Sequence, residues 1–447
     1  MLKFSYPYIH TYFCFLKKYN LTIEQLYEVF LQFPSIQTDT RKLKAGDLFF
    51  ALSGPNFNGN DFALKAIEAG AAYAIVDQEI ANTSAQVLKV DNVLDSLQLL
   101  AKHHREQFSI PFITITGSNG KTTTKELVST ALACHYKTYT TQGNLNNHIG
   151  IPLTLLRVGK DAEMAVIEMG ANHQKEIEGY CLYTEPTHGI ITNCGKAHLE
   201  GFGGIEGVKK GKGELFDYLR AHDGTAFIFN DYDYLQKMSK GINQVITYGT
   251  EQAKVTGRSL PSDTFLKVEL TSEESPLIIE TQLVGDYNLP NILCAVAVGK
   301  HFDVPLEKII RSIEEYAPGN SRSQMLIKGS NHIILDAYNA NPSSMKVAIE
   351  NIANIRANKK VLMLGAMMEL GQESLAEHQN VVDLIKKYEW DNVVLVGGDF
   401  ARATHPFTYL ETAEKAAEWA KQQNFRNSYI LIKGSRSVQM EKTLEAP

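Results

Sequence analysis

The sequence predicts an α/β protein of three domains, and three observations carry that prediction. Its 447 residues exceed one ordinary core, at roughly 100–200 residues per domain. From Pro111 onward, β-branched apolar runs alternate with stretches of helical spacing, the rhythm of βαβ units around a mainly parallel sheet. The rhythm then restarts after Pro318-Gly319. The expected division is a small N-terminal α/β domain over 1–110, with 1–19 as an extension. A central, mainly parallel-sheet domain with a P-loop follows over 111–318, and a Rossmann-like α/β domain over 319–447.

In chain order, the N-terminal part shows an amphipathic helix at Ile23 to Phe30 and a strand at Asp47 to Leu52. A helix from Phe62 to Ala69 then leads into a strand at Ala72 to Val76. The central part opens with the strand Phe112 to Thr116, after which Leu127, Val128, Ala131 and Leu132 recur at helical spacing. Buried-strand candidates follow at Met164 to Met169, Gly189 to Thr192 and Ala226 to Phe229, and Phe265 to Val284 alternates like an antiparallel insertion. The last part offers strands at Ile333 to Leu335, Val361 to Leu364, Val393 to Val396 and Tyr429 to Ile432.

Composition narrows the function classes. Hydrophobic residues at 44% and charged residues at 21% suffice for cores without disulfides. A net charge of −6 argues against nucleic acid as partner, because phosphate neutralisation needs concentrated Lys and Arg. The cysteines Cys14, Cys134, Cys181, Cys194 and Cys294 are odd in number and lack metal-ligand spacing, so they read as reduced, mostly buried thiols. No apolar run approaches the roughly 20 residues of a membrane span. The short stretch Thr11 to Leu16 precedes Lys17 and Lys18, the wrong charge order for a secretory signal. A cytoplasmic monomer without membrane insertion is expected.

The strongest motif is Thr116-Gly117-Ser118-Asn119-Gly120-Lys121-Thr122-Thr123-Thr124, set between a strand and a helix. Glycines let backbone N–H groups turn onto phosphate oxygens, and the helix N-terminus adds partial positive charge. Lys121 supplies a formal charge for the β and γ phosphates, and Thr122 or Thr123 a hydroxyl for Mg²⁺. Ile115 stands where the general pattern has its first glycine.

In the form Gly-Ser-Asn-Gly-Lys-Thr-Thr, this loop resembles that of the Mur ligase family, ATP-dependent amino-acid ligases of peptidoglycan synthesis. Further segments fall in the family's order: Gly143 to Pro152 with Asn147, Glu168 to His173, Asn193 to Glu200 with His198, and Lys212 to Phe216. In the last part, Tyr338-Asn339-Ala340-Asn341-Pro342, Gly365 to Gly371 followed by His378, and Lys433-Gly434-Ser435-Arg436 resemble the dipeptide-adding branch. Other Mur ligases and the related folylpolyglutamate synthases, the alternative reading, usually carry histidine at the first of those Asn positions. Thr38-Asp39-Thr40-Arg41 and Gly46 to Leu52 resemble that branch's uridine-nucleotide domain. The sequence departs from the pattern at Ala366, where Asp is usual, and at Tyr287, where His often precedes Asn288.

The resemblance implies the chemistry and its residues. ATP and two Mg²⁺ ions would serve ligation of D-alanyl-D-alanine to UDP-N-acetylmuramoyl-tripeptide through an acyl phosphate. Gly117, Ser118, Asn119, Gly120, Lys121, Thr122 and Thr123 would hold the phosphates, with Asn288 at adenine, Arg322 on phosphate and Asp336 on ribose. Thr122, Glu168, His198 and a carbamylated Lys212 would ligate metal. Asn147 would touch the transferred phosphoryl group, and Lys121, Glu168, His198, Lys212 and Asn147 together form the expected catalytic set. Asn339, Asn341 and Ser343 would orient the dipeptide, and Thr38, Asp39, Thr40, Arg41 and Phe49 the uridine nucleotide.

Overall fold

A computed structural model describes residues 21–81, 84–262, 264–273, 275–319 and 321–445. The expected extension over 1–19, with Cys14, lies outside the described residues. Contacts divide the chain into two units, one of Met1–Phe112, Tyr139–Met169 and Gly179–Glu185, the other of Ile113–Thr138, Gly170–Glu178 and Pro186–Pro447.

The first unit contains a four-stranded sheet in the order Ile36–Gln37, Leu48–Phe50, Tyr73–Val76, Val87–Lys89, parallel throughout. The helix Ile23–Gln32 begins at a capping box in which Thr22 and Gln25 satisfy each other's backbone N–H. Phe49, Ala51, Ala63, Ala66 and Ala74 form a buried cluster; the small alanines let the helix Ala63–Glu68 lie close to the sheet. The same unit holds the strand Met164–Glu168, fully buried along its length, as expected of a parallel-sheet interior.

In the second unit, seven strands follow the order Leu277–Glu280, Lys267–Leu270, Val255–Leu260, Gln244–Gly249, Thr225–Phe229, His188–Ile191, Phe112–Thr116. Pairing is parallel from Phe112–Thr116 as far as Val255–Leu260 and antiparallel beyond. The expected antiparallel insertion is therefore the outer hairpin of this sheet. The helix Leu289–His301 is buried on nearly every face, which explains its all-round apolar sequence.

A second sheet in this unit runs Gln324–Lys328, Asn331–Asp336, Tyr429–Lys433, Lys360–Gly365, Asn392–Val396, Thr408–Leu410. Only the first strand is antiparallel. Its interior is Ile333, Leu335, Val361, Met363, Val394, Val396, Ile430 and Ile432. Parallel register brings Asp336 beside Lys433, at the carboxyl ends where α/β sheets place ligands. Four of the five described strands in this sheet's parallel part were expected; the short edge strand Thr408–Leu410, too brief for a periodic signal, was not. The four described cysteines are free, and three are buried.

Candidate functional site

The strand Phe112–Thr116 delivers the phosphate loop to the helix Lys121–Ala133. Two glycines are required here by geometry. Gly117 has φ +144° and a Cβ on it would fall 2.0 Å from Thr192 Oγ1; Gly120, at φ +79°, caps the helix in the left-handed region. The loop is braced from the neighbouring strand end. Ser118 N donates to Asn193 O (2.9 Å), Asn119 N to Asn193 Oδ1 (3.1 Å), and Thr192 Oγ1 to Asn119 O (2.6 Å). Lys121 Nζ donates to Gly117 O at 2.7 Å, so its ammonium lies across the loop. Thr122 is 5% exposed on the first helical turn, and Thr123 is half-buried beside it.

A polar column supports the loop from below. Thr124 Oγ1 donates to Asn291 Oδ1 (3.0 Å), Asn291 Nδ2 to Asn288 Oδ1 (2.9 Å), and Asn288 Nδ2 to Val284 O (2.9 Å). Asn288, expected at adenine, is 3% exposed, with Nδ2 and Oδ1 each bonded internally, so its side chain braces the loop. Tyr287, its neighbour, reaches Ser323 Oγ at 2.8 Å.

Lys212 is 1% exposed, on the helix Ile205–Ala221. Its Nζ donates to Ala171 O at 3.1 Å and lies 5.0 Å from the Phe202 ring centroid. Burial, reinforced by the Lys121 charge, pulls its pKa down to about 7. A lysine in this state presents a neutral, nucleophilic amine near neutrality. His198 sits at φ +52°, just before the helix Leu199–Phe202, with Nδ1 2.5 Å from Glu369 Oε2. That approach is short but off the angle of an aligned hydrogen bond. Glu369 is held below the usual carboxylate range by the His198 contact.

The loops of the two sheets in this unit meet near His198. Asn341 Nδ2 donates to Asn119 Oδ1 (2.7 Å), Ser343 Oγ accepts from Lys196 N (3.0 Å), and Lys196 pairs with Glu377 at 2.5 Å. Asn341 also caps the helix Pro342–Asn354 with Ser344. Asn339 Oδ1 accepts from Ala340 N. Asp336 is committed to Lys433 Nζ (2.6 Å) and Ser323 N (3.1 Å). Arg322 stacks 3.7 Å over Tyr338, and its Nε is buried without a hydrogen-bond partner, a donor that a phosphate oxygen would satisfy.

In the first unit, Glu168 is 1% exposed. Its Oε1 accepts from Asn146 Nδ2 at 2.7 Å and its N donates to Thr141 Oγ1. Asn147, expected on the phosphoryl group, uses Oδ1 to accept from Gly150 N (2.8 Å) and Ile149 N; its neighbour Asn146 is the one on Glu168. Arg41 forms a two-point pair with Asp39 at 2.9 and 2.8 Å, which lowers the Asp39 pKa to about 2. Thr38 and Thr40 are half-exposed on either side. Phe49, expected at the uridine nucleotide, is 2% exposed and packs within the alanine cluster.

Sequence reading gave no role to Asn193, Lys196, Glu369 or Lys433. The last was legible as a charge ending an apolar strand, a position that calls for a buried partner. Among the described residues, no three His, Cys, Asp or Glu side chains group as a metal centre. In the second unit the available donors are threonine hydroxyls and an imidazole. Such a partial set fits Mg²⁺ completed by water and substrate phosphates better than an all-protein cage.

Residues 32–105 match the Mur ligase family catalytic domain, 115–299 the Mur ligase middle domain and 321–436 the Mur ligase glutamate ligase domain. The UDP-N-acetylmuramoyl-tripeptide–D-alanyl-D-alanine ligase of Haemophilus influenzae is 34% identical over 432 residues, covering 93% of each chain. The crystal structure of MurF from Acinetobacter baumannii superposes with a TM-score of 0.85 at 29% identity, over 96% of this chain and 98% of that one. MurF from Thermotoga maritima in complex with ADP gives 0.84 at 26%, over 93% and 97%. Matched in all three of its parts and along nearly its whole length, the chain belongs to the Mur ligase family.

Proposed function

We propose that the protein ligates D-alanyl-D-alanine to UDP-N-acetylmuramoyl-tripeptide, consuming ATP and yielding UDP-N-acetylmuramoyl-pentapeptide, ADP and phosphate. The observation that carries this reading is the full-length likeness to ligases of that name, joined to a phosphate loop whose strand, turn and helix are all present. The reaction belongs in the cytoplasm, with the protein a monomer. No helix of the described residues is long and apolar enough to cross a membrane. We place the domain limits at 110/111 and 318/319.

The chemical problem is to bring a peptide carboxylate to the γ-phosphate of ATP. Two like unit charges about 4 Å apart repel by roughly 4 kcal/mol at an effective dielectric of 20. Backbone N–H groups from Gly117 to Thr123 would cradle the phosphates, and Lys121 would exchange its carbonyl partners for phosphate oxygens. Arg322 offers its unpartnered Nε to phosphate, while Asp336, fixed by Lys433, faces ribose. Thr122, Glu168, His198 and a carbamylated Lys212 would hold Mg²⁺, which when bound neutralises phosphoryl charge. The neutral Lys212 amine suits carbamylation: its lone pair adds to the carbon of CO₂, and the nitrogen releases a proton to leave an anionic carbamate. Asn147 retains its Nδ2 for the acyl phosphate.

Amine attack on the acyl phosphate then forms the peptide bond and expels phosphate. Asn339, Asn341 and Ser343 would orient the dipeptide next to the loop that Asn341 already touches, and this seam would keep water from the acyl phosphate. Thr38, Asp39, Thr40 and Arg41 would receive the uridine nucleotide. Purified protein given ATP, the tripeptide nucleotide and D-alanyl-D-alanine is expected to yield pentapeptide and ADP in equal amounts by mass spectrometry. Free D-alanine or another single amino acid as the better acceptor would overturn the assignment.

A further inference from the structure

Glu369 has no role in the proposed chemistry, yet its loop is held by a run of backbone hydrogen bonds. Ala366 N donates to Val396 O (2.9 Å), Met367 N to the buried His378 Nε2 (3.1 Å), and Met368 N to Ser435 Oγ (3.0 Å). Three consecutive backbone donors are thus spent on fixing the segment that presents the next residue. His378 is itself fixed, with Nδ1 donating to Ser374 O at 2.7 Å; that leaves Nε2 as the acceptor for Met367 N. Glu369 then adopts φ +62°, a left-handed conformation that a non-glycine residue holds only when its surroundings impose it.

The partner of Glu369 is equally constrained. His198 also has positive φ, +52°, and its carbonyl accepts from Phe202 N. Two strained residues from separate sheets therefore meet side chain to side chain, with 2.5 Å between Nδ1 and Oε2. A carboxylate at one ring nitrogen fixes the tautomer and ring direction, and it directs the other nitrogen toward a ligand. The imperfect angle of this contact suits a site that tightens when its ligands bind.

We propose that Glu369 is a positioning residue of the ligation site: its carboxylate holds His198 through Nδ1 and leaves Nε2 to a divalent metal ion. The inference rests on the reading of His198 as a metal ligand given above. It adds that the imidazole is competent only when the loop over 366–371 is docked, so the C-terminal sheet governs metal affinity in the half of the site that His198 supplies. The alternative is a half-exposed ion pair of no consequence, a frequent outcome for such contacts.

The test uses the full-length protein with Mn²⁺ as probe, in the presence of a non-hydrolysable ATP analogue, followed by electron paramagnetic resonance and by steady-state ligation. Glu369→Ala is expected to weaken the weaker Mn²⁺ site by about 10–100-fold, the usual effect of losing such a partner. Glu369→Gln, which keeps an acceptor oxygen, should stay within a few-fold of wild type. In a His198→Ala background, Glu369→Ala should cause no further loss. Wild-type Mn²⁺ affinity in Glu369→Ala, or a loss that adds fully to that of His198→Ala, overturns the proposal alone. Wild-type affinity and ligation in His198→Ala instead overturn the metal-ligand reading and the proposal with it. Thermal melts of each variant separate these outcomes from misfolding, and the Gln variant keeps the comparison usable if Ala does not fold.

Discussion

Replacing Lys212 by methionine should make the protein more stable while removing ligation, and the size of the gain can be worked from the site. Burial and Lys121 take the Lys212 pKa from 10.5 to about 7. The unfolded chain therefore holds a proton between those values that the folded chain surrenders. Folding is penalised in full below pH 7, the penalty declines as pH rises through the window, and it vanishes above about 10.5. At about 1.4 kcal/mol per pKa unit, the cost at pH 7.5 is about 4 kcal/mol. Methionine of similar length removes it and forfeits the hydrogen bond to Ala171 O, worth about 1 kcal/mol. A net gain of about 3 kcal/mol is expected. Urea unfolding of both proteins in degassed buffer, at pH 7.5, 9 and 10.5, checks it. The difference should shrink steadily with pH while ligase activity is absent from the variant throughout. An equal midpoint at pH 7.5, or a difference indifferent to pH, would refute the reasoning that Lys212 is held neutral at a cost to folding.

Further expectations concern the loop, a buried ion pair and a histidine pair. Gly117→Ala introduces a methyl group 2.0 Å from Thr192 Oγ1 at φ +144°. With strain of about 1–3 kcal/mol, it should weaken ADP binding at least about tenfold by calorimetry. Lys433→Met leaves Asp336 without its cation, a change that commonly costs about 3–5 kcal/mol; Lys433→Met with Asp336→Leu should regain most of that stability in chemical unfolding but no activity. His188 Nε2 lies 3.2 Å from His301 Nε2, and burial, then His301, lowers the His188 pKa from 6.5 to about 4. A histidine whose pKa falls on folding costs nothing above about 6.5 and penalises folding increasingly as pH falls toward 4, so stability should drop by up to about 3 kcal/mol over this window. His188→Phe, set against Phe227 and Phe302, should flatten the profile of melting temperature against pH.

The phosphate loop and the strands around it were legible because their signals are local. Gly117 and Gly120 stand where only glycine tolerates the backbone, and Phe112 to Thr116 announces its strand by β-branching alone. Lys212 could be singled out by resemblance, but its neutral amine could not, because burial to 1% exposure and proximity to Lys121 come from packing. Phe49 and Asn288 show the same limit from the other side. Each lies beside residues of functional pattern, and only the fold reveals that one is core and the other an internal brace.

What the sequence determined by itself is therefore the α/β class, the nucleotide loop and the resemblance to a ligase family, each carried by short segments whose residues lie within a few positions of one another. What the tertiary structure alone decided is which side chains meet across long separations. The pairs Asn119 with Asn341, Lys196 with Glu377 and His198 with Glu369 join residues more than 150 positions apart. Periodicity and propensity act over a few residues, whereas these contacts depend on sheet order, strand register and the docking of whole loops. No local pattern encodes those, and the arrangement of charge at the site follows from them.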